Sequence, residues 1–303
     1  MTPNPVVHQI ADYQNRCGEC PVWDAEAGVL YWTDNVQPRL YRYEPATGQS
    51  GLFQDQFVVV AFRLNRRGGF VIANGDGIFV WDGIDEPRLI CGSVGGSRCQ
   101  INEGTADPAG RFLAGSCFYD PRREYELGKL FQIDRDGTAR ILDEGFHIAN
   151  GMGFSLDGST LYVTDSGTRT IYSYAYNTQS GAVGKRRVFV HVPRDEGLPD
   201  GLCVDSAGYV WSAQWYGSCI VRYDPDGTVE RRIATPAKQT SSLCFGGPDL
   251  SDIYITSAGV LESSPLMPPG FDPDSGCIGG ALYGVHTGIR GKREPLADVT
   301  LRS

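Results

Sequence analysis

The sequence has no long apolar run and no surplus of basic residues, and each absence argues against a class of protein. No stretch of 18 apolar residues occurs among the 303 residues, so a membrane-spanning helix is not indicated. Residues 1–5 have neither the basic start nor the apolar core of a signal peptide, which leads us to expect a cytoplasmic protein. The net charge of −9 argues against a nucleic-acid surface, because phosphate binding needs clustered lysine and arginine. We therefore expect neither a membrane nor a nucleic acid as a partner.

Several motifs of common enzyme chemistries are also missing. The sequence has no glycine-rich phosphate loop and no G-x-S-x-G elbow, so a serine nucleophile is not expected. The nine cysteines are interpreted as mostly free thiols, because no export signal accompanies them. Cys17 and Cys20 have C-x-x-C spacing, but no second pair completes a zinc site. Packing in the wall of a channel is the favoured interpretation of this pair, with a functional dithiol as the alternative.

What the sequence does contain is a strand–turn–strand unit that recurs six times, with one position in a fixed register before each turn. The register positions are Glu19, Val60, Asn102, Asn150, Asp200 and Ser241. Their spacings are 41, 42, 48, 50 and 41 residues. A period of this length with several short strands in each unit is typical of propeller blades. We predict an all-β fold, a six-bladed β-propeller with a central metal site, as a single domain over residues 1–303.

Two segments lie outside the regular units. Residues 6–11 precede the first unit and are predicted to pair with the last blade, which would close the ring and remove an exposed strand edge. A proline- and glycine-rich insertion at about residues 261–278 interrupts blade six. It either overhangs the mouth of the channel or forms a passive surface loop. Trp215 is assigned to blade core, with a pocket wall formed by Trp215 and Tyr216 as the alternative.

The register positions carry the site hypothesis, because the innermost strands of a propeller converge on its channel. Four of the six positions hold a carboxylate or an amide. Glu19, Asn150 and Asp200 offer oxygen only, which suits a hard divalent cation, and Asn102 adds a fourth oxygen directly or through a water. Each residue alone could equally be an ordinary Asx-turn or strand-start residue. Four residues in one register favour the metal.

The chain resembles the SMP-30/gluconolactonase/LRE-like (regucalcin-type) family, which includes sugar lactonases. The matching segments are Gly18–Asp24 (GECPVWD), Asn102–Gly104, Asp107–Phe112, Asn150–Gly151, Asp165–Ser166, Pro199–Gly201 and Ser242–Gly247. The likeness covers essentially the whole chain. It implies a six-bladed propeller in which the residues matching Glu19, Asn150 and Asp200 coordinate a divalent cation, with the residue matching Asn102 beside it.

Four departures from the family pattern bear on the substrate, and one of them is Glu103, where the family often has aspartate. Gln100 stands where the family often has an arginine that contacts sugar hydroxyls, and Asp120 stands where it often has glutamate. Cys20 replaces the second glycine of the usual Gly-Glu-Gly-Pro. The resemblance assigns the orientation of the substrate to Asn102, Gln100 and Asp120.

These observations predict a metal-dependent carboxylic-ester hydrolase that opens a sugar-derived (aldono) lactone, a small-molecule substrate, to the free acid. The cation would polarise the ring carbonyl and activate water, with Asp200 as the candidate base and Glu19 as the alternative. Calcium is the first choice of cation, and zinc, magnesium, manganese and iron(II) remain open. The alternatives are a hydrolase of other esters or phosphotriesters, and a non-catalytic calcium-binding regulatory propeller.

Overall fold

The fold is almost entirely β-structure. The computed structural model describes residues 5–117, 127–261 and 264–301. Within these ranges the only helix is the three-residue 3₁₀ turn Ser166–Thr168, so no helix described here is long and apolar enough to cross a membrane. The expectation of a cytoplasmic location stays a prediction.

The strands are short, and many begin after a turn that contains glycine. In chain order they are β1 (His8–Asp12), β2 (Gly18–Asp24), β3 (Val29–Asp34), β4 (Arg39–Glu44), β5 (Gln49–Gln54), β6 (Ala61–Leu64), β7 (Phe70–Ala73), β8 (Ile78–Trp81), β9 (Arg88–Cys91), β10 (Ser93–Val94), β11 (Ser97–Arg98), β12 (Ile101–Ala106), β13 (Phe112–Ser116), β14 (Gly128–Ile133), β15 (Ala139–Phe146), β16 (Ala149–Phe154), β17 (Thr160–Asp165), β18 (Thr170–Ala175), β19 (Arg187–His191), β20 (Leu198–Val204), β21 (Val210–Trp215), β22 (Cys219–Tyr223), β23 (Val229–Ala234), β24 (Thr240–Gly246), β25 (Asp252–Ser257) and β26 (Ala281–His286). Equivalent glycines of the repeat, Gly28, Gly110 and Gly208, have φ of 67°, 90° and 84°. Glycine reaches this left-handed region without a steric penalty, which explains its place in the turn.

The strands form six four-stranded antiparallel blades arranged as a ring. Blades one to five are β2–β5, β6–β9, β12–β15, β16–β19 and β20–β23, each in chain order, and β10–β11 is a separate hairpin. Blade six has the order β24, β25, β26, β1, so the N-terminal strand supplies its outer edge. Each inner strand contacts the inner strands of both neighbouring blades. The predicted six-bladed β-propeller and its closure by the N-terminal strand are confirmed.

The register positions lie where the inner strands depart from regular pairing. In blades one, three, four, five and six the pairing of the inner strand with its neighbour shifts beside or around the register residue. In β20, for example, the shift falls between Pro199 and Leu202 and includes Asp200. Only β6, which follows Val60, pairs with its neighbour without a shift. A β-bulge bends the strand and re-aims a side chain, so five blades can turn their register residue toward the channel.

The segment after the last strand runs across the end of the ring opposite the register residues. The amide of Gly291 donates to the carbonyl of Leu250 in blade six at 2.7 Å. Further along, the amide of Ala297 donates to the carbonyl of Leu64 in blade two, and that of Asp298 to the carbonyl of Gly110 at the turn of blade three. These bonds tie blades on opposite sides of the channel together. The single-domain assignment over residues 1–303 stays a prediction.

Two blades share a buried aspartate five residues after the register position. Asp205 is fully buried, and its Oδ1 accepts the amides of Ala207 and Tyr209 at the β20–β21 turn. Its Oδ2 accepts Trp211 Nε1 at 2.9 Å and Arg222 Nε at 2.8 Å. Asp107 is buried in the same way in blade three. The aspartate therefore connects the turn, through one oxygen, with buried side chains of the blade, through the other.

We expect Asp205→Ala to destabilise the protein by about 3–5 kcal/mol, because it removes the fully buried carboxylate that pairs with Arg222 and leaves that guanidinium only the more exposed Glu230. Asp24→Ala is the matched control. Asp24 holds the same place in blade one, but its described hydrogen bonds go only to the turn amides of Glu26 and Ala27. Its loss should cost about 1 kcal/mol. Urea denaturation of both variants measures the difference, and equal losses would contradict this account of Asp205.

Candidate metal and substrate site

The four oxygen-bearing register residues line one cavity. Glu19, Asn102 and Asn150 are each the second residue of an inner strand, and Asp200 is the third residue of β20. All four border a cavity of about 270 Å³ at this end of the channel. Side chains separated by up to 181 positions in the sequence are thus brought together by the ring. The convergence expected from the repeat register is observed.

The two amide side chains are oriented by their nitrogen atoms. Asn102 Nδ2 donates to the carbonyl of Ala149 at 3.0 Å. Asn150 Nδ2 donates to Ser166 Oγ at 3.3 Å, and Ser166 Oγ in turn donates to the carbonyl of Pro199 at 2.7 Å. Because an amide has one donor side and one acceptor side, these bonds leave both Oδ1 atoms as the groups available to a ligand.

The two carboxylates are buried, and Asp200 keeps one oxygen without a hydrogen bond to the described residues. Glu19 Oε2 accepts the amide of Cys20 at 3.1 Å. Asp200 Oδ1 is buried and has no hydrogen-bond partner in the described part of the chain. Burial, with the charge of Glu103 as the second cause, raises the pKa of Glu19 to about 8. Burial and the charges of Glu19 and Glu103 raise the pKa of Asp200 well above its ordinary value.

A hard divalent cation fits this donor set. The unpartnered Asp200 Oδ1 and the raised pKa values both express uncompensated negative charge, which a cation would remove. All the donors are oxygens, as calcium and magnesium prefer. Among the residues described, no group of three or more His, Cys, Asp or Glu side chains is placed to hold a metal. This set has only two carboxylates and relies on amide oxygens for the rest, so the metal site stays a prediction.

The other two residues assigned to the substrate are placed differently. Gln100 precedes β12, and its carbonyl accepts the amide of Cys117 at 3.2 Å. Cys117 lines the cavity, whereas Gln100 is not among the described residues that do. Asp120 lies outside the described residues. The structure therefore places Asn102 in the wall of the cavity and does not place Gln100 there, and the substrate roles of both stay predictions.

The wall of the cavity comes largely from loops. Trp215 and Tyr216 line it, which favours the pocket-wall interpretation of this pair. Ser264 and Leu266 of the insertion also line it, so the described part of the insertion overhangs the channel mouth. Arg16, an exposed residue three positions before Glu19, lines the cavity as well. Its nearness in sequence to Glu19 was the only signal that could have identified it.

A buried arginine holds the insertion in place. Arg169 Nη2 donates to the carbonyl of Leu266 at 2.6 Å. Its Nη1 donates to the carbonyls of Pro193, Glu196 and Gly197 at 3.0–3.1 Å, in the loop that leads to β20. One guanidinium therefore ties the cavity wall of blade six to the loop before Asp200. Sequence analysis did not identify Arg169, because its four partners are backbone carbonyls in two distant segments.

Comparisons with known proteins place these residues in a family. The family model described as "SMP-30/Gluconolactonase/LRE-like region" matches residues 17–259. A pentonolactonase from Haloferax volcanii is 38% identical over 295 residues, covering 97% of this chain and 99% of the relative. A 6-deoxy-6-sulfogluconolactonase from Pseudomonas putida is 34% identical over 282 residues, covering 92% and 94%. A solved structure of regucalcin from Agrobacterium tumefaciens, described as a calcium-binding protein, has a TM-score of 0.82 at 25% identity, covering 97% of this chain and 96% of that one.

The raised pKa of Glu19 predicts how stability depends on pH when a chelator removes divalent cations. The folded protein keeps the Glu19 proton up to about pH 8, whereas the unfolded chain releases it near the ordinary pKa of 4.5. The folded state binds more protons in this window, so the free energy of unfolding should fall as pH rises through it. The expected fall is on the order of a few kcal/mol.

Urea denaturation at a series of pH values with chelator measures this slope. Glu19→Gln is the matched variant, because it keeps the shape of the side chain and cannot ionise. We expect the slope to become shallower in Glu19→Gln, where the raised pKa values of Asp200 and Glu103 still contribute, and to remain unchanged in Asp24→Ala. The same slope in Glu19→Gln as in the parent protein would rule out Glu19 as its source.

Proposed function

The chain belongs to the SMP-30/gluconolactonase/LRE-like family, and from that premise we propose that it is a carboxylic-ester hydrolase that opens a sugar-derived lactone with the help of one divalent cation. The observation that carries the proposal is the convergence of Glu19, Asn102, Asn150 and Asp200 on one cavity. The relatives named as a pentonolactonase and a 6-deoxy-6-sulfogluconolactonase support the substrate class. The substrate would be a small-molecule lactone.

Glu19, Asn150 and Asp200 would hold the cation, with the Oδ1 atom of Asn102 beside it. When bound, a divalent cation supplies Lewis acidity toward a carbonyl oxygen and toward water. Calcium is the first candidate, because the donors are all oxygens and the regucalcin of similar fold is described as calcium-binding.

Asp200 is the proposed general base. Its carboxylate has two oxygens, so one would hold the cation while the other accepts a proton from the attacking water. Glu19 is the alternative base, and its Oε2 already accepts the amide of Cys20. The water adds to the ring carbonyl carbon, the ring C–O bond breaks, and the ring oxygen takes a proton to give the hydroxy acid.

The cavity suits a small polar ring. Its volume of about 270 Å³ lies near the lower end of small-molecule pockets. Arg16 and Asn35 offer polar contacts at the mouth, while Trp215 and Leu266 form an apolar wall. An amphipathic wall of this kind fits a sugar-derived ring, which has both hydroxyl groups and apolar C–H faces.

One observation favours a second candidate, a hydrolase of other esters or of phosphotriesters at the same cation. Gln100 replaces the arginine that the family resemblance associates with sugar hydroxyls, and it is not among the described residues that line the cavity. The sugar-selective contact expected at that position is therefore not supported here. The regulatory alternative, a calcium-binding propeller without catalysis, uses the same oxygens but predicts no turnover.

We expect Asp200→Ala to lower the rate of aldonolactone hydrolysis by about 10²–10⁴-fold, because it removes both a cation ligand and the base. Asp24→Ala is the control, since Asp24 is on the inner strand of Glu19 but at its opposite end. Hydrolysis is followed by the acid released per unit time. Equal rates in Asp200→Ala and the parent protein would contradict the assignment.

A substrate panel separates the three functions. Aldonolactones, aryl esters and phosphotriesters are each assayed with calcium and with chelator, alongside elemental analysis of the purified protein. We expect aldonolactones to be turned over fastest and chelator to stop the reaction. Faster turnover of aryl esters or phosphotriesters would favour the second candidate, and cation binding without any turnover would favour the regulatory propeller.

A further inference from the structure

Blade two differs from the other blades at the channel. Its register position is Val60, which offers no side-chain oxygen, and its inner strand β6 has no bulge. The same strand carries Arg63, the only lysine or arginine on the six inner strands, all of which the structure describes. Blade two thus contributes the one positive charge of the inner ring.

The Arg63 guanidinium reaches the residue next to Glu19. Its Nη1 donates to Cys20 Sγ at 3.2 Å and to the carbonyl of Phe62 at 2.7 Å. Cys20 has a φ of 49°, a left-handed conformation that a cysteine adopts at some cost. Burial raises the pKa of Cys20 to about 12, so this partner is a neutral thiol. In the described part of the chain no carboxylate forms an ion pair with Arg63, although the charges of Glu103 and Glu294 act on it at longer range. Glu294 pairs with Lys292 at 2.9 Å, so these two residues, which line the same cavity as Arg63, add no net charge.

Three buried carboxylates lie on the inner strands of the ring, and the charge of Arg63 acts most directly on Glu103. Glu19, Glu103 and Asp200 are 7%, 5% and 4% exposed. Burial raises the pKa of Glu103, while the positive charge of Arg63 opposes that rise. When all three carboxylates are ionised, they and Arg63 together carry a charge of −2. A divalent cation brings this sum to zero.

We propose that Arg63 is a positioning residue that sets the charge of the cation site, so that the channel is neutral with a divalent ion and not with a trivalent one. The proposal rests on the proposed function, because it assumes that a cation binds at Glu19, Asn150 and Asp200. The proposal explains why the site would prefer a divalent ion to a trivalent one, which the three ligands alone do not explain. Three carboxylates without Arg63 would balance a trivalent ion.

The charge of Arg63, which is itself half-buried, acts through space on carboxylates that are almost fully buried. In such an environment the interaction of two charges is several times stronger than in bulk water and grows in proportion to the charge of the ion. Replacing Arg63 with a neutral residue should therefore tighten the binding of trivalent ions more than that of divalent ions. We expect the ratio of terbium(III) affinity to calcium affinity to rise roughly tenfold in Arg63→Met.

The experiment measures both affinities directly. Terbium(III) binding is followed by its luminescence, with Trp215 in the cavity wall as the sensitiser, and calcium by competition against terbium. Arg63→Lys keeps the charge and should return the affinity ratio to that of the parent protein. Arg66→Met is the matched control, because Arg66 is exposed and follows β6 outside the inner ring, and it should leave the ratio unchanged. Circular dichroism reports whether each variant is folded.

Each outcome decides the proposal. A terbium-to-calcium ratio in Arg63→Met equal to that of the parent protein would overturn the role of Arg63 and leave the cation site intact. An equal rise in Arg66→Met would show a general effect of protein charge and would also overturn it. Failure of the parent protein to bind either ion would instead refute the cation site of the proposed function. If Arg63→Met does not fold, Arg63→Gln carries the same test, because it is neutral and can still donate to the carbonyl of Phe62.

Discussion

The burial of three carboxylates at the centre of the ring is the constraint on which the site depends. Each buried ion costs several kcal/mol when it lacks a partner, and the backbone satisfies only part of this demand. Glu19 and Glu103 each accept one amide, while Asp200 keeps an unpartnered oxygen. The channel can therefore hold protons or hold a cation. Binding of a cation to the folded state alone would contribute its binding energy to the stability of the fold.

The inner strands depart from regular β-pairing at the positions of the site residues. A regular strand turns successive side chains to opposite faces, which would direct no more than alternate residues toward the channel. Shifts in pairing beside Glu19 and around Asn102, Asn150 and Asp200 occur where the oxygens are needed. The one inner strand without a shift, β6, supplies a positive charge from a position further along its length. The blades with shifted pairing therefore carry the oxygens of the site, and the blade without a shift carries the positive charge.

The sequence predicted those features of the site that recur in each blade. The spacing of the six units predicts the number of blades, the inner strands and the convergence of four oxygens, because equivalent residues of a ring must meet at its axis. It did not predict the role of Arg63 or the left-handed Cys20, because neither position repeats among the blades. Arg169 was missed for a related reason, since its partners are backbone carbonyls in two distant loops. Contacts that occur once in the fold leave no periodic signal.

This separation between repeated and unique contacts also bears on specificity. The repeated positions supply oxygens that would serve any ester hydrolysed at a cation, so they cannot by themselves select a sugar lactone. Selection must come from the wall, which is built by loops such as the insertion that Arg169 ties to the loop before β20. Changing this wall leaves the inner strands intact, because its bonds run between loops. In the proposed function, the ring would therefore fix the reaction, while the loops of blades four to six would determine which lactone reaches Asp200.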